Sequence, residues 1–569
     1  MTKFLLFVFM FLPFFGTSQE FDNFPPPDTN TGIYCNASTT WNGSAWSNGE
    51  PDANKDVIFN ANYTCITGTF NACSIFVLDG AHINFNQGSN AIVTHSVNVA
   101  ENAQLVFESS SNLIQIEETE NTGNIIIKRK SSKIVKDDYT LWSSPVSGEQ
   151  TLVDFSPETL QNHFYTFSTN NNIYNNLVNP QATVFTKAKG YLIRTPETHP
   201  IVPTAWEAQF EGTPNTGDIN IHLVYANQDL NYNAVGNPYP SPISIKAFIE
   251  ANSDVIDGTV WLWRKTQDAA KSSYVTVTKL GYQSNDIVNI NNPNDPYYAH
   301  PDGIINTGQG FMVRSKNTQE LVFNNAMRLP VNEAVFFRPK NDEQPEENLT
   351  SRLWINVTGT GVFSQTLIGY TPQGSLQYDN GFDGLAVMDG GVTLYTVTNT
   401  KRFAIQARPE FNDTDVVPLG FKTQTAGTYQ IALDHMDGLF LSGQHIYLKD
   451  KTDNTIHNLN EGNYTFTTNA GTFENRFEIV YTETLGTNLP AAPLQETIIY
   501  TNNNQVKVHS TQEIMSIALY DISGRLIYSQ NNINAFEFSS SYLNITKQIV
   551  IAKTILSNKQ IVTKNIVIQ

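Results

Sequence analysis

Two aspartates in a glycine-containing loop are the residues best suited to hold a metal ion. Asp379 and Asp383 lie within the run Asp-Asn-Gly-Phe-Asp-Gly that ends at residue 384, so two carboxylates and an amide share one short loop. Oxygen ligands of this kind suit a hard cation such as Ca²⁺. The run departs from the full calcium-loop pattern, and a tight polar turn explains the same residues. The sequence leaves two interpretations open: a Ca²⁺ site, which would be its one cofactor, or a structural turn.

A pair of tryptophans could bind a sugar. Trp261 and Trp263 stand two residues apart in the run Val-Trp-Leu-Trp, which has the composition of a strand. Side chains two apart on a strand share a face, so the two indole rings could form a flat platform for a sugar ring. Packing against a neighbouring sheet is the alternative. The pattern favours a buried interface at these residues, with a glycan platform as the alternative.

The three cysteines, Cys35, Cys65 and Cys73, all lie near the start of the chain. In an oxidising compartment one pair can form a disulfide. A bridge between Cys65 and Cys73 would close a short loop and leave Cys35 over. Buried free thiols are the alternative, and the lack of paired histidines nearby argues against zinc.

Motifs of the common enzymes are absent from the sequence. It contains no His-Glu-x-x-His, no Gly-x-Ser-x-Gly, no phosphate-binding glycine loop and no dinucleotide fingerprint, and its ten histidines are scattered singly. We therefore name no catalytic residue and predict a protein that is not an enzyme. A glycosidase needs only two carboxylates that folding brings to roughly 5 to 10 Å apart, so an uncharacterised hydrolase stays an alternative.

The charge balance excludes one class of partner. The chain has 34 basic and 53 acidic residues, for a net charge of −19 at pH 7. Phosphate backbones and anionic membranes attract clustered Lys and Arg. We therefore expect no nucleic-acid partner.

The first eighteen residues have the pattern of a cleavable secretory signal. Lys3 precedes an apolar run from Phe4 to Phe15, and the small residues Gly16 and Ser18 follow where a signal peptidase cuts. No later segment approaches the eighteen apolar residues of a membrane span. The sequence predicts a secreted protein without a transmembrane segment once the signal is removed.

The elements that position these residues are strands. Between residues 37 and 136 short apolar runs recur about every eight residues and are separated by turn residues, which predicts a short β-solenoid or a meander. Longer loops between strands follow, with one short helix that Ser244 can cap. We predict an all-β, multidomain fold with two β-sandwich-like central regions and a small Ig-like C-terminal sandwich of about seven strands.

The composition also sets the predicted boundaries. They are a signal at 1–18, an N-terminal lead at 19–36, the repetitive region at 37–136, a β-rich domain with one helix at 137–339, a linker at 340–348, a sandwich-like domain at 349–484, a linker at 485–497 and the C-terminal domain at 498–569.

The C-terminal segment resembles a known export signal. It carries Tyr520 and Asp521, then Gly524 and Arg525, in the motif Tyr-Asp-x-x-Gly-Arg, and later strands with Lys553 and Lys564. This order is similar to the sorting domain of proteins exported by the type IX secretion system of Bacteroidetes, closest to its type C variety. The family commonly ends in a basic pair, whereas here Asn565 follows Lys564. The resemblance implies the type IX machinery as a partner and the outer cell surface as the location.

The body of the chain resembles a flavobacterial family of secreted surface proteins. The similarity lies in segments such as 41–49, with Trp41 and Trp46, the Gly-Asn-Pro-Tyr-Pro run at 236–240, and the Gly-Thr-Phe-Glu-Asn-Arg-Phe run at 471–477. No enzymatic reaction is generally assigned to this family. We therefore expect an adhesive or structural surface protein that contacts glycans or a substratum, with a carbohydrate-binding or polysaccharide-processing component as the alternative.

Overall fold

The structure is a computed structural model. It describes residues 35–226, 231–263, 273–284, 303–331, 350–398, 401–483, 497–502, 504–543, 545 and 548–568. The predicted signal, most of the lead and nearly all of both predicted linkers lie outside the described residues. The chain forms two compact units, Met1–Glu483 and Thr484–Gln569. The prediction of an all-β, multidomain fold is confirmed.

The first unit begins with a β-solenoid. The solenoid strands pair in parallel, which excludes the alternative of a meander, whose strands would pair antiparallel. Stacking places each strand beside the corresponding strand of the next coil, so that Phe85 and Phe107 stack with their ring centroids 4.8 Å apart. Alternating apolar residues on each strand point inward and fill the core. Its strands are β1 (Ala37–Trp41), β2 (Lys55–Phe59), β3 (Tyr63–Cys65), β4 (Gly68–Ala72), β5 (Ser74–Val77), β6 (His82–Phe85), β7 (Ser89–Val93), β8 (Val97–Val99), β9 (Gln104–Phe107), β10 (Asn112–Gln115) and β11 (Ile125–Ile134).

The predicted disulfide between Cys65 and Cys73 is wrong. The structure joins Cys35 to Cys73, with their Cα atoms 5.9 Å apart, and leaves Cys65 buried and free. Cys35 precedes β1 and Cys73 precedes β5, and both strands belong to one parallel sheet, whose strands all start at the same edge. Cys65 ends a strand of a different sheet and packs into the core.

A middle lobe follows at residues 135–331, and two of its sheets position the candidate site. One has the order β12-β16-β14-β15 and the other β19-β25-β21-β22-β23. Its strands are β12 (Tyr139–Trp142), β13 (Val146–Ser147), β14 (Phe164–Ser168), β15 (Ile173–Asn176), β16 (Tyr191–Arg194), β17 (Thr204–Pro214), β18 (Ile219–His222), β19 (Tyr232–Gly236), β20 (Ile243–Ser244), β21 (Ile256–Trp263), β22 (Tyr274–Thr278), β23 (Gly281–Gln283), β24 (Ile304–Ile305), β25 (Gly310–Ser315) and β26 (Glu320–Phe323).

Helices in the described residues are few and short. The helix α2 (Ile245–Ala251) starts at Ser244, whose side chain accepts a hydrogen bond from the Ala247 amide. The sequence did not indicate α1 (Leu152–Phe155), which Thr151 and Asp154 cap reciprocally. Single 3₁₀ turns occur at Gln161–His163, Pro180–Ala182, Asn325–Met327 and Gly438–Ser442. None of the described helices combines the length and the apolarity that crossing a membrane requires.

The third lobe, at residues 350–483, is one eleven-stranded sheet that folds over on itself. Phe466 and Phe477 lie on strands with six others between them in the hydrogen-bonded order, yet their ring centroids are 4.9 Å apart. The strands are β27 (Ser351–Gly359), β28 (Val362–Tyr370), β29 (Gly384–Leu385), β30 (Val392–Val397), β31 (Arg402–Arg408), β32 (Val416–Thr423), β33 (Gly427–Met436), β34 (Tyr447–Asp450), β35 (Thr455–Asn458), β36 (Tyr464–Thr468) and β37 (Gly471–Val480).

The described part of the C-terminal unit has five strands, where the sequence suggests about seven. They are β38 (Thr497–Asn502), β39 (Gln505–Asp521), β40 (Leu526–Ser539), β41 (Gln548–Leu556) and β42 (Ile561–Ile568). The count is lower because β39 and β40 are long, with register shifts where shorter strands were expected. The end strands β38 and β42 come together, since the Thr501 hydroxyl donates to the Val567 carbonyl at 2.8 Å.

Candidate functional site

A cavity of about 460 Å³ lies between the two sheets of the middle lobe and a loop of the third lobe. Six aromatic rings line it: Phe167, Tyr174, Tyr232, Trp261, Trp263 and Tyr274. Asn172, Met312 and the loop at 386–389 complete the described lining. The volume falls within the range of about 300–1,000 Å³ typical of sites for small molecules.

Strand alternation gives the five-stranded sheet two different faces. Val260 and Leu262 on β21 point to the aliphatic core around α2, whereas Trp261 and Trp263, which alternate with them, point to the opposite sheet. Tyr232, Tyr274 and Met312 from the neighbouring strands lie on that same aromatic face. The sequence prediction that the tryptophans share a face thus agrees with the structure.

The rest of the cavity comes from distant segments. Phe167 on β14 and Tyr174 on β15 face the tryptophans from the other sheet. The loop at 386–389 follows β29, and the Ala386 amide donates to the Arg402 carbonyl at 3.0 Å, which ties the loop to β31. The site therefore depends on the packing of the third lobe against the middle lobe.

Neighbouring rings in the cavity stand nearly perpendicular. The interplanar angle is 69° between Tyr232 and Trp261, 81° between Trp263 and Tyr274, and 76° between Tyr174 and Trp263, with centroids 5.1 to 6.0 Å apart. Edge-to-face contacts of this kind are favourable in themselves. Trp261 is only 1% exposed and packs with Trp263 between the two sheets, as the buried-interface interpretation requires. The two rings line the cavity as walls, which differs from a flat exposed platform.

Two buried polar atoms of the lining lack a protein partner among the described residues. They are the indole nitrogen Nε1 of Trp261 and the amide oxygen Oδ1 of Asn172. By contrast, Nε1 of Trp263 donates to the Tyr139 carbonyl at 3.1 Å, and the hydroxyls of Tyr174 and Tyr274 lie 3.3 Å apart. Leaving a buried donor or acceptor unpaired costs roughly 1 to 3 kcal/mol. Both residues line the cavity, and neither of these atoms has a hydrogen-bond partner among the described residues.

Asp389 supplies the negative charge of the lining. Its Oδ2 accepts a hydrogen bond from the Ser273 amide at 3.3 Å, and its side chain is exposed. Burial raises the pKa of Tyr274 well above its usual value, with Tyr174 and Asp389 adding to the effect. Burial also raises the pKa of Tyr232 to about 12, with further contributions from Asp257 and Asp389. The negative charge of Asp389 therefore contributes to the raised pKa of two tyrosines that line the cavity.

Asp379 and Asp383 are engaged by protein donors. The Ser375 amide and hydroxyl donate to Asp379, at 2.6 and 2.9 Å. The amides of Asp379 and Ala407 donate to the two oxygens of Asp383, at 2.8 and 2.6 Å. All four oxygens thus stabilise the loop, as the polar-turn interpretation requires. Calcium binding at these residues stays a prediction.

Two buried carboxylates have strongly raised pKa values. Burial raises the pKa of both Asp257 and Asp383 to about 7. Oδ2 of Asp257 lies 3.8 Å from Nη1 of Arg314, and the Tyr378 hydroxyl donates to the Asp257 carbonyl at 2.7 Å. Neither carboxylate lines the aromatic cavity. No motif or spacing in the sequence pointed to Asp257.

The predicted sorting residues build a turn at the end of β39. Oδ1 of Asp521 accepts hydrogen bonds from the amides of Ser523 and Arg525, each at 3.0 Å, and Oδ2 accepts one from Nε of Arg525, also at 3.0 Å. Hydrogen bonds from Ser523, then from Arg525, lower the pKa of Asp521 to about 2. Gly524 has φ of +84°, which glycine adopts without strain.

The other predicted sorting residues lie apart from one another. Tyr520 precedes Asp521 on β39 and pairs with Ile551 of β41. Lys553 on β41 pairs with Thr563, and Lys564 on β42 pairs with Ala552, so the two lysines are one register position apart. Side chains one position apart point to opposite faces of a sheet. The structure brings Asp521, Gly524 and Arg525 together and leaves the two lysines on separate faces.

The fold and the cavity define a multidomain, all-β protein with an aromatic-lined pocket between its lobes. The chain belongs to the family described as a domain of unknown function (DUF8693), whose model matches residues 33–481. A second model, also described as a domain of unknown function (DUF8694), matches residues 485–568. Among curated proteins, none matches the chain.

One solved structure gives a weak similarity. It is the crystal structure of dimeric latent PorU from Porphyromonas gingivalis, at 11% sequence identity and a TM-score of 0.12. The match covers 67% of this chain and 35% of that chain, so this chain spans about a third of the length of that protein. A similarity at this level carries no argument about fold or function.

Proposed function

We propose that this protein is an exported surface protein of a Bacteroidetes bacterium that binds carbohydrate in the aromatic cavity and does not turn it over. The observation that carries the proposal is the set of six aromatic rings around a cavity of about 460 Å³. Sugars present apolar C–H faces that pack on aromatic rings. Binding of glycans would give the adhesive role that the sequence suggests.

The unpaired polar atoms favour a sugar over a purely apolar ligand. Nε1 of Trp261 needs an acceptor, and Oδ1 of Asn172 needs a donor. A sugar hydroxyl can donate one hydrogen bond and accept two. A hydrocarbon of the same size would leave both protein atoms unpaired, and that cost would reduce its affinity.

Binding without turnover is favoured over hydrolysis by the acidic groups of the cavity. A glycosidase places two carboxyl groups about 5 to 10 Å apart across the scissile bond. Among the described lining residues, Asp389 supplies the one carboxylate. Asp257 and Asp383 are buried outside the cavity lining, and both carboxylate oxygens of Asp383 accept hydrogen bonds from backbone amides.

Replacing Trp263 by alanine is expected to reduce glycan affinity about tenfold, because one wall of the cavity is lost. The measurement is retention on a polysaccharide array, followed by titration calorimetry with any glycan that is retained. Trp46→Ala is the matched control, since Trp46 is a partly buried tryptophan of the solenoid and does not line the cavity. Retention of no glycan, or equal affinity of Trp263→Ala and the intact chain, would contradict the proposal.

A second proposed function concerns the C-terminal unit, which we infer to be the export address. The observation that favours it is the turn at Asp521, which holds Ile522 80% exposed and the Arg525 side chain 80% exposed at the tip of a hairpin. Residues so exposed, on a turn so fully hydrogen-bonded, are available to a receptor. The type IX secretion machinery is the partner that this proposal names.

Truncation after Thr497 is expected to abolish arrival at the cell surface, because it removes the whole address. Asp521→Ala should give a partial defect, since the turn loses the hydrogen bonds from Ser523 and Arg525. Asp52→Ala is the matched control, because Asp52 accepts a similar turn hydrogen bond from Asn54 in the solenoid. The measurement is surface labelling of intact cells. A truncated chain that still reaches the surface would show that this unit is not an address.

A further inference from the structure

We propose that the ligand of the aromatic cavity carries a protonated amine, so that the site selects amino sugars over neutral sugars. This inference rests on the carbohydrate-binding function proposed above and names its substrate class. The geometry of the rings, the charge of the lining and the unpaired polar atoms each support it.

The rings form the walls of a cation site. A cation is attracted to the face of an aromatic ring, and tryptophan is the best of the three ring types. Because adjacent rings stand at 69° to 81° to one another, their faces point in several directions around one volume. A flat platform would give a neutral sugar a better stacking surface. Ring faces that point in different directions around one volume suit a compact charged group.

The charge of the lining has the sign that an amine requires. Asp389 is exposed at the cavity, and it takes part in no ion pair among the described residues. No basic side chain belongs to the described lining. Lys422 contacts the loop from outside the described lining, since its Nζ donates to the Met388 carbonyl at 3.3 Å. The net charge of −19 opposes anionic glycans as the alternative.

The hydrogen-bonding groups match an amino sugar. An ammonium group has three donors and no acceptor, so it can serve Oδ1 of Asn172 and the carboxylate of Asp389. The ring hydroxyls of the same sugar can accept from Nε1 of Trp261. A neutral sugar can satisfy the two unpaired atoms, but it leaves the charge of Asp389 without a counterion.

The test compares chitosan oligosaccharides with chitin oligosaccharides of the same chain length, by titration calorimetry on the full chain. The two differ in whether the amine is free or acetylated. We expect chitosan to bind about tenfold more tightly, equivalent to about 1.4 kcal/mol. Asp389→Asn should remove this preference, because the lining then carries no charge that distinguishes the free amine from the acetylated one. Asp413→Asn, at an exposed aspartate of the third lobe outside the lining, should keep the preference.

The outcomes separate this inference from the function on which it rests. Equal binding of the two oligosaccharides, or a preference that Asp389→Asn retains, would overturn the amine requirement while glycan binding stands. A preference that persists above the pKa of the free amine would do the same, because the acetyl group and not the charge would then decide. Binding of neither oligosaccharide, together with no retention on the glycan array, would overturn both proposals.

Discussion

Gly258→Ala is expected to destabilise the first unit by about 4 kcal/mol, because a side chain there would overlap the backbone of the third lobe. A Cβ atom at Gly258 would meet the N and Cα atoms of Gly381 well inside van der Waals distance. Gly258 also has φ of +71°, a conformation that costs alanine roughly 1 kcal/mol. The remainder is the cost of forcing two packed backbones apart, which is about 3 kcal/mol at the upper end of measured overpacking.

The same substitution should weaken ligand binding, since the contact holds the cavity together. The Lys279 amide donates to the Gly381 carbonyl at 2.8 Å, and the Thr278 hydroxyl donates to the Phe382 carbonyl at 2.9 Å. These bonds set the position of β29 and of the loop that follows it. Separating the lobes would move that loop away from the tryptophans.

Gly361→Ala is the matched control for this prediction. Gly361 also has φ of +71°, but nothing lies within 4 Å of the position its Cβ would take. Its substitution should therefore cost only the conformational term of roughly 1 kcal/mol. The measurement is urea unfolding followed by tryptophan fluorescence. Equal losses for the two variants would show that the contact between Gly258 and Gly381 contributes nothing.

Arg476→Ala is expected to destabilise the third lobe by about 4 kcal/mol, because it leaves a buried carboxylate without its counterion. The Asp450 side chain is fully buried, and Nε of Arg476 donates to both of its oxygens, at 3.1 and 3.0 Å. The Arg476 guanidinium also lies over the rings of Phe466 and Phe477, 4.8 Å from each centroid. The alanine variant loses all of these contacts together.

The control is Arg402→Ala, which breaks an ion pair on the surface. Arg402 pairs with Glu474 at 2.5 Å, and the two side chains are 49% and 35% exposed. Exposed pairs contribute at most about 1 kcal/mol, so the free energy of unfolding of this variant should be close to that of the intact chain. Similar losses of unfolding free energy in the two arginine variants would show that burial of Asp450 does not make its ion pair more important than the exposed one.

The pH dependence of the same pair has a defined sign. Burial acts to raise the pKa of Asp450, but hydrogen bonds from Arg476 and Thr452 outweigh it and lower the pKa overall. A lowered pKa means that the stabilisation is present above the unfolded-state value and is lost as the pH falls through the folded-state value. The difference in unfolding free energy between Arg476→Ala and the intact chain should therefore become smaller as the pH is lowered.

Local regularities of the sequence predicted the parts of the fold that depend on neighbours along the chain. Apolar runs about eight residues apart indicated the solenoid, because each run supplies one inward-facing strand. The spacing of Trp261 and Trp263 predicted their common face, since strand alternation requires it. Ser244 indicated the start of α2 for a similarly local reason.

The parts that depend on distant segments could not be read from the sequence. The walls of the cavity come from residues as far apart as Phe167 and Asp389, and no local pattern links them. The walled cavity in place of a flat platform follows from that convergence. The disulfide prediction failed for a related reason, because the shared sheet edge of Cys35 and Cys73 follows from a stacking of β1, β2 and β5 that spacing does not reveal.

Because the solenoid coils stack in register, a whole coil can be gained or lost in evolution as one structural repeat. His82 and Gln104 lie on successive coils 22 residues apart, with their side chains in contact at 3.3 Å. Each coil packs mainly on the coils before and after it, so duplication or loss of a whole coil keeps the same contacts at the join. Relatives that differ by one such step would differ in the length of the solenoid and keep the residues that line the cavity.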